Sequence, residues 1–134
     1  NSCRSQMAEA IALSLDQPKF IFTSAGLEPL PISPMTVGFM KEKGLDVAHM
    51  VPKAINQVPN LDHYHVIVVL APEAVKAFPR RPRKLAFLEW TVQDPSRTQG
   101  TQAEVAAAYE SAYQFIHEHI HDLVGAILGE NTNT

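Results

Sequence analysis

Val66-Ile67-Val68-Val69-Leu70 (VIVVL, residues 66–70) is an unbroken apolar run, and four of its five residues are β-branched. A strand with one wet face alternates apolar and polar residues. A continuous run reads as a strand covered on both faces, the pattern of a parallel sheet between helices. Downstream, Pro72 to Phe78 reads as a short helix. Pro79 and Pro82 then sit among Arg80, Arg81, Arg83 and Lys84 in a basic loop. Leu85 to Trp90 is a further strand, and Thr91 to Gly100 a loop. A long helix follows over Thr101 to Leu128, with Thr101 and Glu104 spaced as a capping box. Its predicted apolar stripe is Val105, Ala108, Ala112, Phe115, Ile116, Ile120, Leu123 and Ile127.

Upstream the alternation continues. Ser5 to Leu15 has helical spacing through Met7, Ala10, Ile11 and Leu15, and Pro18 stops it. Phe20-Ile21-Phe22 predicts a short buried strand. Ser33 and Pro34 predict a helix start that carries Met35, Phe39 and Met40 and ends near Gly44. Pro52 to Ile55 predicts one helical turn. Strands alternating with helices argue for an α/β domain with a parallel sheet and helices on both faces. A domain over residues 1–128 and a polar tail over 129–134 are expected.

The charge of -3 and pI of about 6.0 do not suggest a nucleic-acid binder. The single cysteine, Cys3, excludes an intramolecular disulfide and suggests a reducing compartment. No apolar run is long enough to span a membrane. A cytoplasmic protein without a membrane or nucleic-acid partner is expected.

The chain opens Asn1-Ser2-Cys3-Arg4-Ser5-Gln6-Met7-Ala8-Glu9-Ala10. A loop that enters a helix presents backbone N–H groups and the positive end of the helix dipole, which together favour an anion. The planar fork of Arg4 can grip two oxygens of a phosphate-like group. Asn1, Ser2, Cys3, Arg4 and Ser5 are therefore candidate phosphate-binding residues.

This opening resembles the phosphate loop of low-molecular-weight protein tyrosine phosphatases and their arsenate-reductase relatives, C-x-G-N-x-C-R-S within C-x5-R. "TSAGLEP" (23–29), "VIVVLAPEA" (66–74) and "WTVQDPSRTQG" (90–100) resemble further segments of that family, the last its Asp-Pro loop. Gln6 to Glu9 is closer to the reductase branch. The resemblance implies a three-layer α/β/α fold with strand order 2-1-3-4. The family's nucleophile lies six positions before Arg4, ahead of Asn1, so Cys3 is the second loop cysteine. The first strand and the start of the loop are expected to be absent, from an incomplete copy of the domain or from a degenerate one.

The resemblance also implies roles. Arg4 stabilises the equatorial oxygens. Asp94 protonates the leaving oxygen and then activates water; outside the resemblance, Asp94-Pro95 is an ordinary turn pair. Phosphatase chemistry ranks first on this reading, with phosphate, arsenate or a phosphotyrosine-type oxyanion as substrate and no cofactor. Arsenate reduction is the alternative. Its thioredoxin-coupled form needs two relay cysteines where this chain has Ala71 and Phe78, which leaves a glutathione-coupled form. A catalytically dead anion-binding or interaction module is a third reading. The resemblance further places Cys3 where a reversible disulfide with the family's nucleophile could form.

Other residues read more plainly. His117 and His121 share a helix face but have no third ligand at a convincing position, so no metal is expected. His63 and His65 alternate sides of an extended segment. Trp90 is a core anchor, and the basic loop a solvated one.

Overall fold

The computed structural model describes residues 3–15, 20–26, 31–48, 50–59, 64–71 and 86–128. Its elements are α1 (Arg4–Ser14), α2 (Pro34–Glu42), β1 (Val66–Val69), β2 (Ala86–Glu89) and α3 (Gln102–Leu128), with 3-10 turns at Ile55–Gln57 and Pro95–Arg97. The apolar run of residues 66–70 contains β1. It pairs in parallel with β2, Val66 opposite Ala86 and Val69 opposite Glu89. Trp90 N–H donates to the Val69 carbonyl and Val92 N–H to the Leu70 carbonyl, which carries the pairing into the next loop. The fold is α/β with a small parallel sheet, as the alternation of helix and strand implied.

Three helix boundaries follow from local chemistry. Ser33 Oγ accepts from Met35 N–H at 3.3 Å, and Pro34 occupies the first helical position of α2. Gly44, at φ +81°, ends that helix. Gly44 N–H donates to the Lys41 carbonyl and Leu45 N–H to that of Met40, the paired bonds of a Schellman motif. At the start of α3, Thr101 Oγ1 accepts from Glu104 N–H at 3.1 Å, and Glu104 accepts from Thr101 N–H at 2.9 Å. The predicted capping box is present.

Met7, Ala10 and Ile11 of α1 pack with Tyr109, Ala112, Ile116, Ile120 and Val124 of α3. Met40, Val47, Leu70 and Val92 join the same core. Removing each large side chain from water contributes about 1.5–3 kcal/mol, which is why α1 and α3 stay together over their length.

Several expectations are corrected. Phe20 to Phe22 joins no ladder among the described residues. In the order 2-1-3-4 its single neighbour would be strand 1, and no described residue occupies that place. The nearest pairing is an isolated parallel bridge between Gly26 and Ala54. The predicted turn at Pro52 to Ile55 lies later, at Ile55–Gln57, because Ala54 is extended in that bridge. Val66, Ile67 and Val68 are half-buried rather than covered on both faces. The buried stripe of α3 runs through Tyr109 and Val124, and Ile127 is exposed. In α2, Met35 is exposed and Thr36 is fully buried. The expected helix at Pro72 to Phe78, the basic loop with Arg80, Arg81, Arg83 and Lys84, and the tail of residues 129–134 lie outside the described residues. Among the described residues, no helix is long and apolar enough to cross a membrane.

Candidate functional site

The sheet order places the loop after β2 beside the start of α1. There Arg4 and Asp94, far apart in sequence, come together. Arg4 Nη1 donates to the Val92 carbonyl at 2.7 Å, and Nη2 lies 3.9 Å from Asp94 Oδ2. Both side chains are mostly withdrawn from solvent, at 16% and 13% exposure, so their attraction is less screened than that of a surface pair.

Asp94 caps the 3-10 turn Pro95–Arg97. Its Oδ1 accepts from Ser96 N–H at 3.0 Å and from Ser96 Oγ at 2.6 Å, and Arg97 Nε lies 3.7 Å from Oδ2. Pro95 fixes the backbone at the first position of the turn and is itself buried. The turn reading of Asp-Pro holds, and the turn that Asp94 caps also brings its carboxylate to 3.9 Å from Arg4.

Asn1 and Ser2 lie outside the described residues. Ser5 is half-buried in the first turn of α1. Cys3 is the residue before that helix, with φ -146° and ψ -80° and no side-chain capping bond. Its thiol points into the core, where the residue is 2% exposed. Thr36 Oγ1 donates to Cys3 Sγ at 3.5 Å, and Sγ donates to Met7 Sδ at 3.8 Å. Burial pushes the thiol from 9.0 up to about 11; bonds from the Thr36 hydroxyl and Ser96 N–H oppose this, while the Asp94 charge adds to it. Cys3 is thus a neutral thiol at ordinary pH and a poor nucleophile. Any part it has in an anion cradle is through its backbone.

Four participants were not expected from the sequence. The Val92 carbonyl leaves no side-chain signal. Arg97 is three residues from Asp94, an ordinary charge spacing. Tyr109 falls on the helical spacing with Val105 and Ala112 and reads as core. Thr36, a polar residue inside an apolar helix face, is the one signal that could have been noticed. Its Oγ1 lies 2.8 Å from Tyr109 Oη, and burial raises the Tyr109 phenol.

A cavity of about 430 Å³ lies between this loop and α3, lined by Thr91, Val92, Gln93, Pro95 and residues of the helix. It shares Val92 and Pro95 with the surroundings of Arg4 but includes neither Arg4 nor Asp94. Ala71 is half-buried just beyond β1, and Phe78 is outside the described residues. The His117 and His121 rings are 4.3 Å apart. Among the described residues, no group of three or more His, Cys, Asp or Glu side chains is placed to hold a metal. Trp90 is half-buried against the core and packs 5.1 Å from the His119 ring. His63 is outside the described residues, and the His65 carbonyl accepts from Ala86 N–H.

Comparison with known proteins shows the family of the chain. The glutaredoxin arsenate reductase of Synechocystis is 32% identical over 127 residues, covering 95% of this chain and 92% of that protein. The arsenate reductase of Bacillus subtilis is 34% identical over 110 residues, covering 82% and 78%. A solved arsenate reductase in the phosphate binding state superposes with a TM-score of 0.73 at 28% identity, covering 95% of this chain and 92% of that one. These matches lend no support to the expectation of an incomplete copy. They also reverse the ranking of activities, since these relatives are named as reductases of arsenate. A family model described as low molecular weight phosphotyrosine protein phosphatase matches residues 1–133, and the chain belongs to that family.

Proposed function

We propose that this domain binds arsenate at the Arg4 end of α1 and supports its reduction to arsenite by thiols other than Cys3. The observation that carries the reading is the meeting of Arg4 and Asp94 at the start of α1, in a chain similar over most of its length to arsenate reductases. The Arg4 fork is pre-set by the Val92 carbonyl and by Asp94. An oxyanion arriving there exchanges a weak carboxylate contact at 3.9 Å for direct, charge-assisted hydrogen bonds.

The chemistry assigns separate tasks to separate groups. A thiolate other than that of Cys3 bonds to arsenic as an As–O bond breaks. The departing oxygen leaves as water, with Asp94 handling the proton. A second, external thiol of the glutathione or glutaredoxin type then attacks the sulfur. The S–As electron pair passes to arsenic, leaving arsenite and a disulfide. Two thiols supply the two electrons. Cys3 supplies neither, because it is buried and held neutral.

Titration of the chain with arsenate and with phosphate, followed by calorimetry, tests the binding step. Saturable binding is expected for both, at least tenfold weaker in Arg4→Ala. No binding, or equal binding by the variant, overturns the site. Arsenite formation with glutathione and glutaredoxin, set against release of phosphate from an aryl phosphate, separates reductase from phosphatase. Phosphate release without arsenite formation favours the phosphatase reading, which the family description supports. Binding with neither reaction fits the dead-module reading.

A further inference from the structure

Three side chains from three elements form one buried line. Tyr109 of α3 is 1% exposed, Thr36 of α2 is 0% exposed, and Cys3, ahead of α1, is 2% exposed. Tyr109 Oη lies 2.8 Å from Thr36 Oγ1, Thr36 Oγ1 lies 3.5 Å from Cys3 Sγ, and Sγ lies 3.8 Å from Met7 Sδ. A thioether has no proton to give, so the Cys3 thiol is the donor to Met7. Thr36 has one hydroxyl proton, and Sγ accepts it. Tyr109 is then left as the donor to Thr36. Within this line the direction of each proton follows from the end that cannot donate; the Ser96 N–H and the Asp94 carboxylate also act on Sγ, from the loop after β2.

We propose that Thr36 and Tyr109 are positioning residues that, through this one-way hydrogen-bond line, hold the Cys3 thiol inward and out of exchange with external thiols and disulfides. This goes beyond the arsenate reading and does not depend on it. Cys3 is the neighbour of Arg4 in the loop, and its thiol is the one sulfhydryl in the chain. Swung outward, it would meet the same external thiols that the proposed chemistry requires. A mixed disulfide there would place a bulky adduct beside Arg4.

The arrangement resists this in two ways. The thiol is inaccessible, and its ionisation is disfavoured. With the thiol near 11, about one molecule in a thousand carries the reactive thiolate at pH 8. The titratable groups acting on Cys3 are Asp94 from the loop after β2 and Tyr109 from α3. The Thr36 bond itself favours the thiolate, so its contribution to protection is directional: it gives Sγ a partner inside the core.

The test is the native-state rate at which Cys3 of the full chain reacts with glutathione disulfide, read by mass as the glutathione adduct and taken across pH. The exchange consumes one thiolate and one disulfide and yields a mixed disulfide and free glutathione. Wild type is expected to react slowly, with the rate still rising near pH 11. Thr36→Val should react at least tenfold faster at pH 8, because the thiol has lost its partner inside the core. Thr36→Ser, which keeps the hydroxyl, should stay within about threefold of wild type. Tyr109→Phe, which removes only the far donor, should fall between.

Wild-type rates in both Thr36→Val and Tyr109→Phe overturn the proposal. So does a Thr36→Ser variant as fast as Thr36→Val, which would assign the effect to side-chain shape. Reaction that rises with urea in step with global unfolding assigns it to lost stability and overturns it as well. Arsenate binding is not read in this assay, so failure here and failure of the arsenate reading are separate results.

Discussion

Arg4 does two things with one side chain. One nitrogen is fixed on a backbone carbonyl and the other is turned toward Asp94. A lysine has a single ammonium on a flexible stem and cannot hold both directions at once. Arg4→Lys is therefore expected to keep the charge and lose the geometry, weakening arsenate or phosphate binding about tenfold in the same titration. Equal affinity would show that charge alone suffices. Asp94 is held by Ser96, by Arg97 and by the turn that it caps. Asp94→Asn can still accept from Ser96 N–H and so should leave the turn in place. It removes the proposed proton-handling group, so arsenite formation should fall about a hundredfold or more with little change in oxyanion affinity. A parallel loss of affinity and rate would instead place Asp94 among the binding residues.

At the scale of elements, two glycines mark boundaries for different reasons. Gly44 ends α2 at φ +81°, and a methyl group there would meet nothing. Gly44→Ala should therefore cost backbone strain alone, about 1 kcal/mol by urea unfolding. Gly100, at φ +139°, stands against Glu104: a methyl group there would lie 2.6 Å from the carboxylate that completes the capping box. Gly100→Ala adds that displacement to its own strain, so it should cost more than Gly44→Ala. In a Glu104→Ala background the excess should largely vanish. An unchanged excess would assign the whole cost to the backbone.

At the scale of the whole molecule, the buried thiol ties stability to pH. In the unfolded chain Cys3 titrates near 9.0 and in the fold near 11. Below pH 9 both states keep the proton, and the contribution is fully present. Between about pH 9 and 11 the unfolded chain releases a proton that the fold retains, so stability falls with rising pH, by about 2–3 kcal/mol in all. Tyr109 is raised by burial and acts in the same direction. Urea unfolding at pH 8 and at pH 11 should show this loss in wild type and a smaller one in Cys3→Ala. An identical loss in both would assign the alkaline limb to other groups. The core that buries the thiol is carried by α3: Ile116, 0% exposed, should cost about 2–5 kcal/mol on truncation to alanine.

What could be read without a structure had a local cause. The apolar run at residues 66–70, the Ser33-Pro34 start, the Gly44 stop and the Thr101–Glu104 box each depend on a few neighbouring residues, and each formed as their chemistry dictates. Arg4 and Asp94 were legible through resemblance, because a loop motif and an Asp-Pro pair are short patterns that sit whole in the sequence. The unexpected features depend on distance partners that no pattern reveals. Phe20 to Phe22 has strand composition, yet a strand exists only when a neighbour accepts its hydrogen bonds. The face of α3 that is buried, through Tyr109 and Val124 rather than Ile127, was set by where α1 lies against it. Cys3 Sγ meets Thr36 of α2, which in turn meets Tyr109 of α3, and neither neighbour is near it in sequence. The sequence by itself determined the strand at residues 66–69 and the caps of α2 and α3, because those are local free energies. Tertiary structure alone decided which face was buried, which thiol was hidden and which carbonyl holds Arg4, because those depend on segments meeting in space.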